Sequence, residues 1–427
     1  MQELAPVFQN LLRHGGIQPD MKKLFPFLSI LFLVASCARN TAPTLVQNTT
    51  PTPHIIIPTP ASCTNLASVP TPGPDVPSVF PPVSAQDHVR GASNPIFTIT
   101  YYVDYQDSRS ALFAQTADKI LEANPDQVRV VSRMFPLIAI NDKAAIAAQA
   151  AEAAAEQNKY WEVQNLLFTQ QANWIKLSAT DFEQWIGTQA STLEVNADQF
   201  KSDIKRQDII GRVQKAWNDG QKMGLPGTPL VLINGQIYGG PRDYSSINDI
   251  LQLILLGKRQ FTVCPPVTVD VKKQYIATLH TEKGDIAIQL FANKAPFTVN
   301  SFLFLVKNRW YDDLTFHRVI PDVFAQTGDP SGTGKGNPGY YIVTEIDPNL
   351  KFSKPGMVAM VNSGPDTSGS QFFITYAATP QFDGKYTIFG QVLSGMDVLL
   401  QLTARDAQPG SDTPPGDKLL NTSIEEK

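Results

Sequence analysis

The boundary between an apolar segment and a helical segment holds side chains that could do chemistry. Residues 96–103 are apolar and rich in β-formers, and residues 111–121 have the apolar spacing of an amphipathic helix. The N–H groups of a first helical turn point out of the helix end, so such a junction often carries a ligand or a reacting group. The junction residues are Asp107, Ser108, Arg109 and Ser110. They contain no obvious pair of nucleophile and base, so covalent catalysis is not predicted there.

Histidines and cysteines are the other reactive side chains, and they do not form a metal-binding pattern. The five histidines are far apart in the chain, and no spacing of His, Cys, Asp and Glu suggests zinc or calcium. We therefore predict neither a metal ion nor a cofactor. The three cysteines are Cys37, Cys63 and Cys264.

Cys37 ends the stretch "VASC", which follows Lys22, Lys23 and an apolar run over residues 24–34. A charged start, a short apolar run and small residues before a cut are the parts of an export signal, and the run is too short to span a bilayer comfortably. "VASC" resembles a bacterial lipobox. The resemblance implies that residues 1–37 contain a lipoprotein signal starting at Met21, and that a lipidated Cys37 anchors the chain to the membrane outside the cytoplasm. An ordinary secretory signal is the alternative.

Export would leave Cys63 and Cys264 in a compartment where thiols oxidise. We predict a disulfide between them, with two free thiols as the alternative, because the sequence alone does not bring the sulfur atoms together.

The length and composition indicate several folded domains and one extended segment. A chain of 427 residues can form two or three cores, and its net charge of −4 without a basic stripe argues against nucleic acid as a partner. Residues 38–94 are rich in Pro, Thr and Ser, so we predict a stiff tether. The oligomeric state is not predicted.

The rest of the chain contains two regions with different sequence patterns. Residues 95–262 alternate between strand and helix patterns, with an Ala-rich helical stretch and an Asn234-Gly235 hairpin signal, so we expect an α/β fold with a helical insertion. Residues 272–427 contain many short strands with Gly-rich turns and a helix opened by Pro296, which predicts a small, mostly β barrel.

The first of these domains resembles the thioredoxin-fold oxidoreductases of the DsbA type. The resemblance is carried by "VRVVSRMFPL", "QAAEAAAEQNKYWEVQNLLF" and "GLPGTPLVLINGQIYGG". In that family an aromatic–Gln pair, here Tyr105-Gln106, precedes Cys-x-x-Cys. Asp107 and Ser110 stand at the two cysteine positions, so thiol–disulfide exchange is not expected.

The resemblance also implies that the loop at Thr228 and Pro229 has a cis peptide bond and borders a groove for extended peptide. A peptide-binding role is one expectation for this domain. The other is that the domain only spaces or stabilises its neighbour.

The second domain resembles the cyclophilin family of peptidyl-prolyl isomerases. The evidence is "LTFHRVIPDVFAQTGDPSGTGKGNPGY" and "GMVAMVNSGPDTSGSQFFITYAATPQFDGKYTIFGQV" at residues 314–340 and 356–392. The resemblance implies an eight-stranded barrel that isomerises X-Pro bonds without a cofactor. Such bonds rotate over a barrier of about 18–20 kcal/mol, so a catalyst must localise the prolyl nitrogen lone pair and grip the ring.

The family's motif assigns a role to individual residues. Arg318 matches the catalytic arginine, and its planar, charged guanidinium suits a donor to the prolyl nitrogen. Gln326 and Gln371 match the residues that hold substrate backbone and orient the arginine. The remaining substrate-binding candidates are Phe324, Asn362, Phe373, Phe382 and Tyr386. Three positions depart from the usual pattern: Val323 replaces Phe, Gln381 replaces Trp, and Tyr386 replaces a frequent His.

Together these features predict an extracytoplasmic, membrane-anchored foldase. Its partners would be unfolded or exported polypeptides that contain X-Pro bonds. The alternative is a non-catalytic chaperone or scaffold in which both domains only bind peptide.

Overall fold

The computed structural model describes residues 62–66, 79–189, 192–406 and 416–427. The predicted lipidation site at Cys37, the export signal and most of the predicted tether lie outside the described residues, so those predictions remain predictions. Within the described residues, no helix is long and apolar enough to cross a membrane.

A five-stranded sheet forms the centre of the N-terminal domain. Every residue of its central strand β3 is buried, since helices cover both faces of the sheet. Its strands are β2 His88–Gly91, β3 Phe97–Val103, β4 Val128–Met134, β5 Leu230–Ile233 and β6 Gln236–Ile237, and β1 Cys63–Asn65 lies outside this sheet. The strand order is β2-β4-β3-β5-β6, with β3 and β4 parallel and the other pairs antiparallel. The β5–β6 hairpin turns at Asn234 and Gly235, both of which have positive φ, so the hairpin prediction is confirmed.

The helices of this domain include the predicted insertion between β4 and β5. The Ala-rich stretch is split in two because Asn158 adopts a left-handed conformation with φ of 58°. The helices are α1 Ser108–Ala123, α2 Ala144–Ala155, α3 Tyr160–Thr169, α4 Gln171–Trp174, α5 Ala179–Thr188, α6 Ala197–Ile204, α7 Gln207–Lys222 and α8 Tyr244–Leu256.

The C-terminal domain is a curled antiparallel sheet with two helices. The first helix begins at Pro296, as predicted. The elements are β7 Tyr275–Thr281, β8 Gly284–Leu290, α9 Pro296–Lys307, β9 Leu314–Thr315, β10 Arg318–Ile320, β11 Phe324–Thr327, β12 Tyr340–Ile342, β13 Met357–Met360, β14 Phe372–Thr375, β15 Ile388–Ser394, α10 Met396–Leu399, β16 Arg405–Asp406 and β17 Lys418–Glu426.

Ten of these strands form one sheet in the order β16-β10-β11-β14-β13-β15-β8-β7-β17-β9. The expectation of an eight-stranded barrel therefore differs from the structure in its strand count. The reason is that two-residue strands, β16 and β9, extend the order at both ends of the sheet. The broader prediction of a mostly β domain that follows an α/β domain is confirmed.

Ordered structure begins before residue 95, so the predicted tether over residues 38–94 is wrong for part of its length. Strand β2 pairs with β4 and widens the N-terminal sheet. Arg133 holds the segment before β2: its Nε donates to Asp87 Oδ1 at 2.6 Å, and its Nη atoms donate to the carbonyl oxygens of Pro81 and Pro82. Proline carbonyls still accept hydrogen bonds, so a Pro-rich segment can be fixed by a partly buried guanidinium.

The segment around Cys63 is also ordered. Strand β1 pairs with β12 of the C-terminal domain, with Cys63 opposite Ile342. The sulfur atoms of Cys63 and Cys264 are bonded at 2.09 Å. The disulfide therefore joins the segment before the first domain to the connector after it.

Candidate active site

The site residues of the C-terminal domain lie in one row across neighbouring strands. Arg318 on β10 is directly opposite Asp406 on β16 and Gln326 on β11. Gln326 is opposite Phe373 on β14, which is opposite Ala359 on β13. Residues directly opposite each other in antiparallel strands share a face and are neighbours, so this register places the candidate donor beside the candidate amide and aromatic groups.

Arg318 is fixed through its Nε atom, and nearly half of its side chain is exposed to solvent. Its Nε donates to Asp406 Oδ1 at 2.8 Å, and its Cζ lies 5.3 Å from the centroid of the Phe324 ring. The side chain is 46% exposed. Within the described residues, this bond from Nε is the one hydrogen bond that the Arg318 side chain makes. The terminal N–H groups therefore remain for another acceptor, within an orientation set by Asp406 and the Phe324 ring.

Two glutamines behind Arg318 form a buried relay. Gln326 Nε2 donates to Gln371 Oε1 at 2.9 Å. Gln371 Nε2 in turn donates to the carbonyl oxygens of Gly334 and Gly336, at 3.1 and 2.8 Å. With both of its amide hydrogens used, Gln371 must present its oxygen to Gln326, which fixes both amides.

A cluster of aromatic rings lies beside the row. Ring centroids of Phe373 and Phe382 are 5.7 Å apart, those of Phe324 and Phe373 are 5.5 Å apart, and those of Phe373 and Tyr386 are 5.2 Å apart. The structure thus brings together the four aromatic residues named from the sequence. Phe373 is buried, whereas the other three are only partly buried and retain surface toward solvent. Tilted and edge-to-face pairs of this kind form a firm apolar wall.

Sequence reasoning missed Phe352 as a member of this wall. Its ring is fully buried and lies 5.8 Å from the rings of both Phe373 and Phe382. The available signal was a pair of large apolar residues, Leu350 and Phe352, in the otherwise polar stretch "NLKFSKPG". At position 323, where the family usually has Phe, Val323 is partly buried next to the wall residue Phe324.

Asn362 follows β13 at the edge of the same region. Its Nδ2 donates to the Lys385 carbonyl at 3.0 Å, and its Oδ1 accepts from the Gly364 N–H at 3.3 Å. Because the side chain is engaged locally, contact with a ligand would come from its backbone.

His317 precedes Arg318 and is buried. Burial lowers the pKa of His317; Asp329 opposes this effect, while Arg405 and Arg318 add to it. Burial therefore favours the neutral form of the imidazole.

The junction in the N-terminal domain has a different chemistry. Asp107 caps α1, and its Oδ1 accepts from the N–H and Nε of Arg109 at 3.3 and 3.1 Å. Its Oδ2 accepts from the hydroxyls of Ser110 and Thr228, both at 2.9 Å. Ser110 is fully buried. A carboxylate with four donors and a buried hydroxyl offer no free nucleophile, and no sulfur is present at either position.

Thr228 and Pro229 lie directly against this junction. Their peptide bond is cis, and both residues are buried. A groove of about 540 Å³ lies nearby, between α1 and α8. It contains exposed Leu112 and Tyr244, and its charged residues are Arg109, Lys119, Arg242 and Asp243.

Chemically, the C-terminal site can stabilise charge beside an apolar surface. Arg318 supplies a fixed cation, the glutamines supply buried amides, and the aromatic wall supplies an apolar surface. Within the described residues, no three metal-ligating side chains are grouped to hold a metal ion. A donor beside an apolar wall suits a reaction whose transition state differs from its ground state by a localised lone pair.

Two family models match the chain. The model described as cyclophilin type peptidyl-prolyl cis-trans isomerase matches residues 276–423, and a thioredoxin model matches residues 84–252. The chain is therefore a multidomain protein that combines a thioredoxin-like domain with a cyclophilin domain. The second match starts before residue 95, in agreement with the position of β2.

Curated relatives share the C-terminal domain. Peptidyl-prolyl cis-trans isomerase A of Mycobacterium tuberculosis is 41% identical over 167 residues, which cover 35% of this chain and 92% of that protein. Peptidyl-prolyl cis-trans isomerase-like 1 of Gibberella zeae is 46% identical over 127 residues, covering 29% and 78%. A crystal structure of a cyclophilin type isomerase from Cryptosporidium parvum is 32% identical with a TM-score of 0.33, covering 36% of this chain and 98% of that one.

The chain belongs to the cyclophilin-type peptidyl-prolyl cis-trans isomerase family. Its C-terminal domain is an isomerase of X-Pro peptide bonds, and the family's substrates are peptides that contain such bonds.

Proposed function

We propose that Arg318 is the donor that lowers the barrier to X-Pro rotation. The register row that sets Arg318 beside Gln326 and Phe373 carries this proposal. As the bond twists, the prolyl nitrogen becomes pyramidal and gains a localised lone pair, which a guanidinium N–H stabilises more than it stabilises either planar isomer. Phe324, Phe373, Phe382 and Tyr386 hold the ring, while Gln371 and the backbone of Asn362 hold the flanking chain.

We also propose that the thioredoxin-like domain holds clients rather than oxidising them. The groove between α1 and α8 joins exposed apolar surface to three cationic side chains and one carboxylate. Within the described residues, neither Lys119 nor Arg242 makes an ion pair. Unfolded segments with an apolar residue next to acidic ones would complement this surface.

The protein acts outside the cytoplasm in this proposal, attached to the membrane through Cys37. Support comes from the "VASC" stretch, the Pro-rich segment after it and the Cys63–Cys264 disulfide, since structural disulfides persist in oxidising compartments. Export makes unfolded polypeptides the natural clients of the isomerase.

The client proposal is tested by comparing two substrates. We expect Leu112→Ser with Arg242→Ala to lower catalysis of a proline-limited protein refolding reaction relative to catalysis on a short Xaa-Pro peptide. Leu400→Ser is the matched control, because Leu400 is 66% exposed and Leu112 is 68% exposed. An unchanged ratio of the two rates would leave the domain with a spacer role only.

The anchor is tested by cell fractionation and intact-mass analysis of the mature protein. The expected result is a lipidated Cys37 in the membrane fraction, and release of Cys37→Ser from that fraction. An unmodified Cys37 in the mature chain would make the anchor proposal wrong.

A further inference from the structure

The loop between β11 and β12 lies between the glutamine relay and the thioredoxin-like domain. On its inner side, the Gly334 and Gly336 carbonyl oxygens accept the two hydrogen bonds from Gln371. Asp329 holds the loop together from within, because it is buried and accepts from the N–H groups of Ser331 and Gly336 at 2.8 and 2.9 Å. The loop conformation therefore determines where the two carbonyls meet Gln371.

On its outer side, the loop contacts the last residue of α8. Leu256 is 3% exposed, and it packs in the core of the C-terminal domain rather than in the core of its own domain. A Cβ at Gly336 would come within 2.7 Å of Leu256 Cδ2. Leu256 and the backbone that bonds Gln371 are thus in direct contact, and only glycine allows this approach.

The connector after α8 holds the other end of the loop. The Phe261 N–H donates to the Pro338 carbonyl at 2.8 Å, and Gln260 Nε2 donates to the Asn337 carbonyl at 3.1 Å. The Phe261 ring packs against Phe304, with ring centroids 4.9 Å apart. The loop is therefore bound at both Gly336 and Pro338 by residues that precede the isomerase domain.

An ion pair also crosses the border between the domains. Lys335 Nζ lies 3.2 Å from Asp249 Oδ2, and the lysine side chain is 64% exposed. Exposed pairs of this kind contribute little to stability, so the apolar contact of Leu256 and the backbone bond of Phe261 determine the loop position.

We propose that Leu256 and Phe261 are positioning residues for the isomerase site. They hold the 329–339 loop so that its carbonyls orient the Gln371 amide, and Gln371 in turn orients Gln326 beside Arg318. The thioredoxin-like domain then has a second role, as part of the scaffold of its neighbour's active site. This inference rests on the proposed roles of Gln326 and Gln371.

The direction of the effect follows from the amide geometry. If the loop moves, Gln371 loses fixed acceptors for its two N–H donors, and its oxygen is no longer restricted to Gln326. A group that must be ordered during the reaction costs conformational entropy that a preorganised group does not. Catalysis on every X-Pro substrate falls, including short peptides that do not reach the α1–α8 groove.

The test is a double-mutant cycle on the full chain with a short Xaa-Pro peptide. We expect Leu256→Ala to lower kcat/KM about fivefold, and Leu256→Met to restore most of the loss, because it keeps the apolar contact. In a Gln371→Ala background the same Leu256→Ala change should cost less than about twofold. Leu251→Ala is the matched control: Leu251 is a fully buried leucine of α8 in the other core, and we expect less than about a twofold change.

Hydrogen exchange of the Gly336 amide gives a readout independent of activity. It should become faster in Leu256→Ala and stay as in the wild type in Leu251→Ala. The proposal would be overturned if Leu256→Ala and Leu251→Ala had equal kcat/KM and equal hydrogen exchange at Gly336. It would also be overturned if the effects of Leu256→Ala and Gln371→Ala on kcat/KM were fully additive. If the wild-type chain were inactive on the peptide, the isomerase site itself would be refuted, and exchange at Gly336 would still decide whether Leu256 holds the loop.

Discussion

The junction at Asp107 and the strand pair at Arg318 both place a charged side chain where an enzyme of the corresponding fold does its chemistry. Asp107 accepts four hydrogen bonds and its side chain is 10% exposed. Arg318 is bonded through Nε to Asp406 and is 46% exposed. The first charge is fully used in holding the fold, whereas the second keeps donors for a ligand. The two sites therefore differ in how far the hydrogen-bonding capacity of the charged group is already used within the protein.

The two regions also differ in what their polar groups stabilise. Asp107 caps α1 and ties it to Thr228, in front of β5, so its hydrogen bonds hold these two segments together. The amides behind Arg318 are buried and bonded to each other and to loop carbonyls, whereas Arg318 itself remains partly exposed. Substitutions should therefore affect stability at the first site and catalysis at the second.

Arg318→Ala is expected to have the largest effect, a loss of about 10²–10³-fold in kcat/KM on a short Xaa-Pro peptide. Arg318→Lys should also be poor, because an ammonium lacks the planar donor geometry. A peptide assay, with unfolding curves to verify the fold, provides the measurement. Near wild-type catalysis by Arg318→Ala would make the proposed mechanism wrong.

We expect stability to depend on the Cys63–Cys264 disulfide at the domain border, and we expect no thiol–disulfide chemistry at the Asp107–Ser110 junction. Loss of the Cys63–Cys264 bond by Cys264→Ser is expected to lower the free energy of unfolding by about 2–4 kcal/mol. Denaturant unfolding of oxidised, reduced and Cys264→Ser protein is the measurement, since reduction should reproduce the substitution. Two free thiols titrated in denatured, unreduced protein would contradict the bond.

Asp107→Ala tests the structural half of the comparison. It removes the cap of α1 and leaves the Thr228 and Ser110 hydroxyls without their acceptor, so we expect a loss of about 1–2 kcal/mol in stability. The value of kcat/KM should stay within about twofold of wild type, because among the described residues none of the hydrogen bonds of Asp107 reaches Arg318. A large loss of isomerase activity in a folded variant would show that the junction is not merely structural.

Because His317 is buried in the isomerase domain, we expect it to make the stability of the protein depend on pH, with a smaller effect than the substitutions above. Burial lowers its pKa in the folded state below the usual value near 6.5. As the pH falls through 6.5, the unfolded chain binds a proton that the folded chain resists, so stability decreases toward acid. Asp329, Arg405 and Arg318 are the charged groups that act on it. We expect His317→Gln to reduce the loss in the free energy of unfolding between pH 7.5 and about 5.5, measured by denaturant unfolding. An equal loss in the wild type and the variant would refute this prediction.

The local sequence predicted two features at the positions where the structure has them. The start of α9 at Pro296 was expected because proline is favoured at the first position of a helix. The Asn234-Gly235 turn was expected because both residues tolerate positive φ. These signals are local, so a few neighbouring residues carry them.

The family motifs identified the site residues, but the strand register determines that they lie in one row across the sheet. Phe352 joined the aromatic wall unpredicted because it lies in a polar loop between strands and packs on residues more than twenty positions away. The tether prediction failed for the segments before β2 and around β1 because composition does not reveal a distant partner such as Arg133 or β12.

The sequence by itself determined that sulfur is absent from the junction, that a guanidinium stands in the isomerase motif, and that a helix begins at Pro296. Only the tertiary structure decided that Leu256 leaves the core of its own domain for that of the next, and that Cys63 meets Cys264 across 201 positions. The physical reason is that propensity and capping act over a few residues. Contacts between distant segments depend on register and packing, which no single segment specifies.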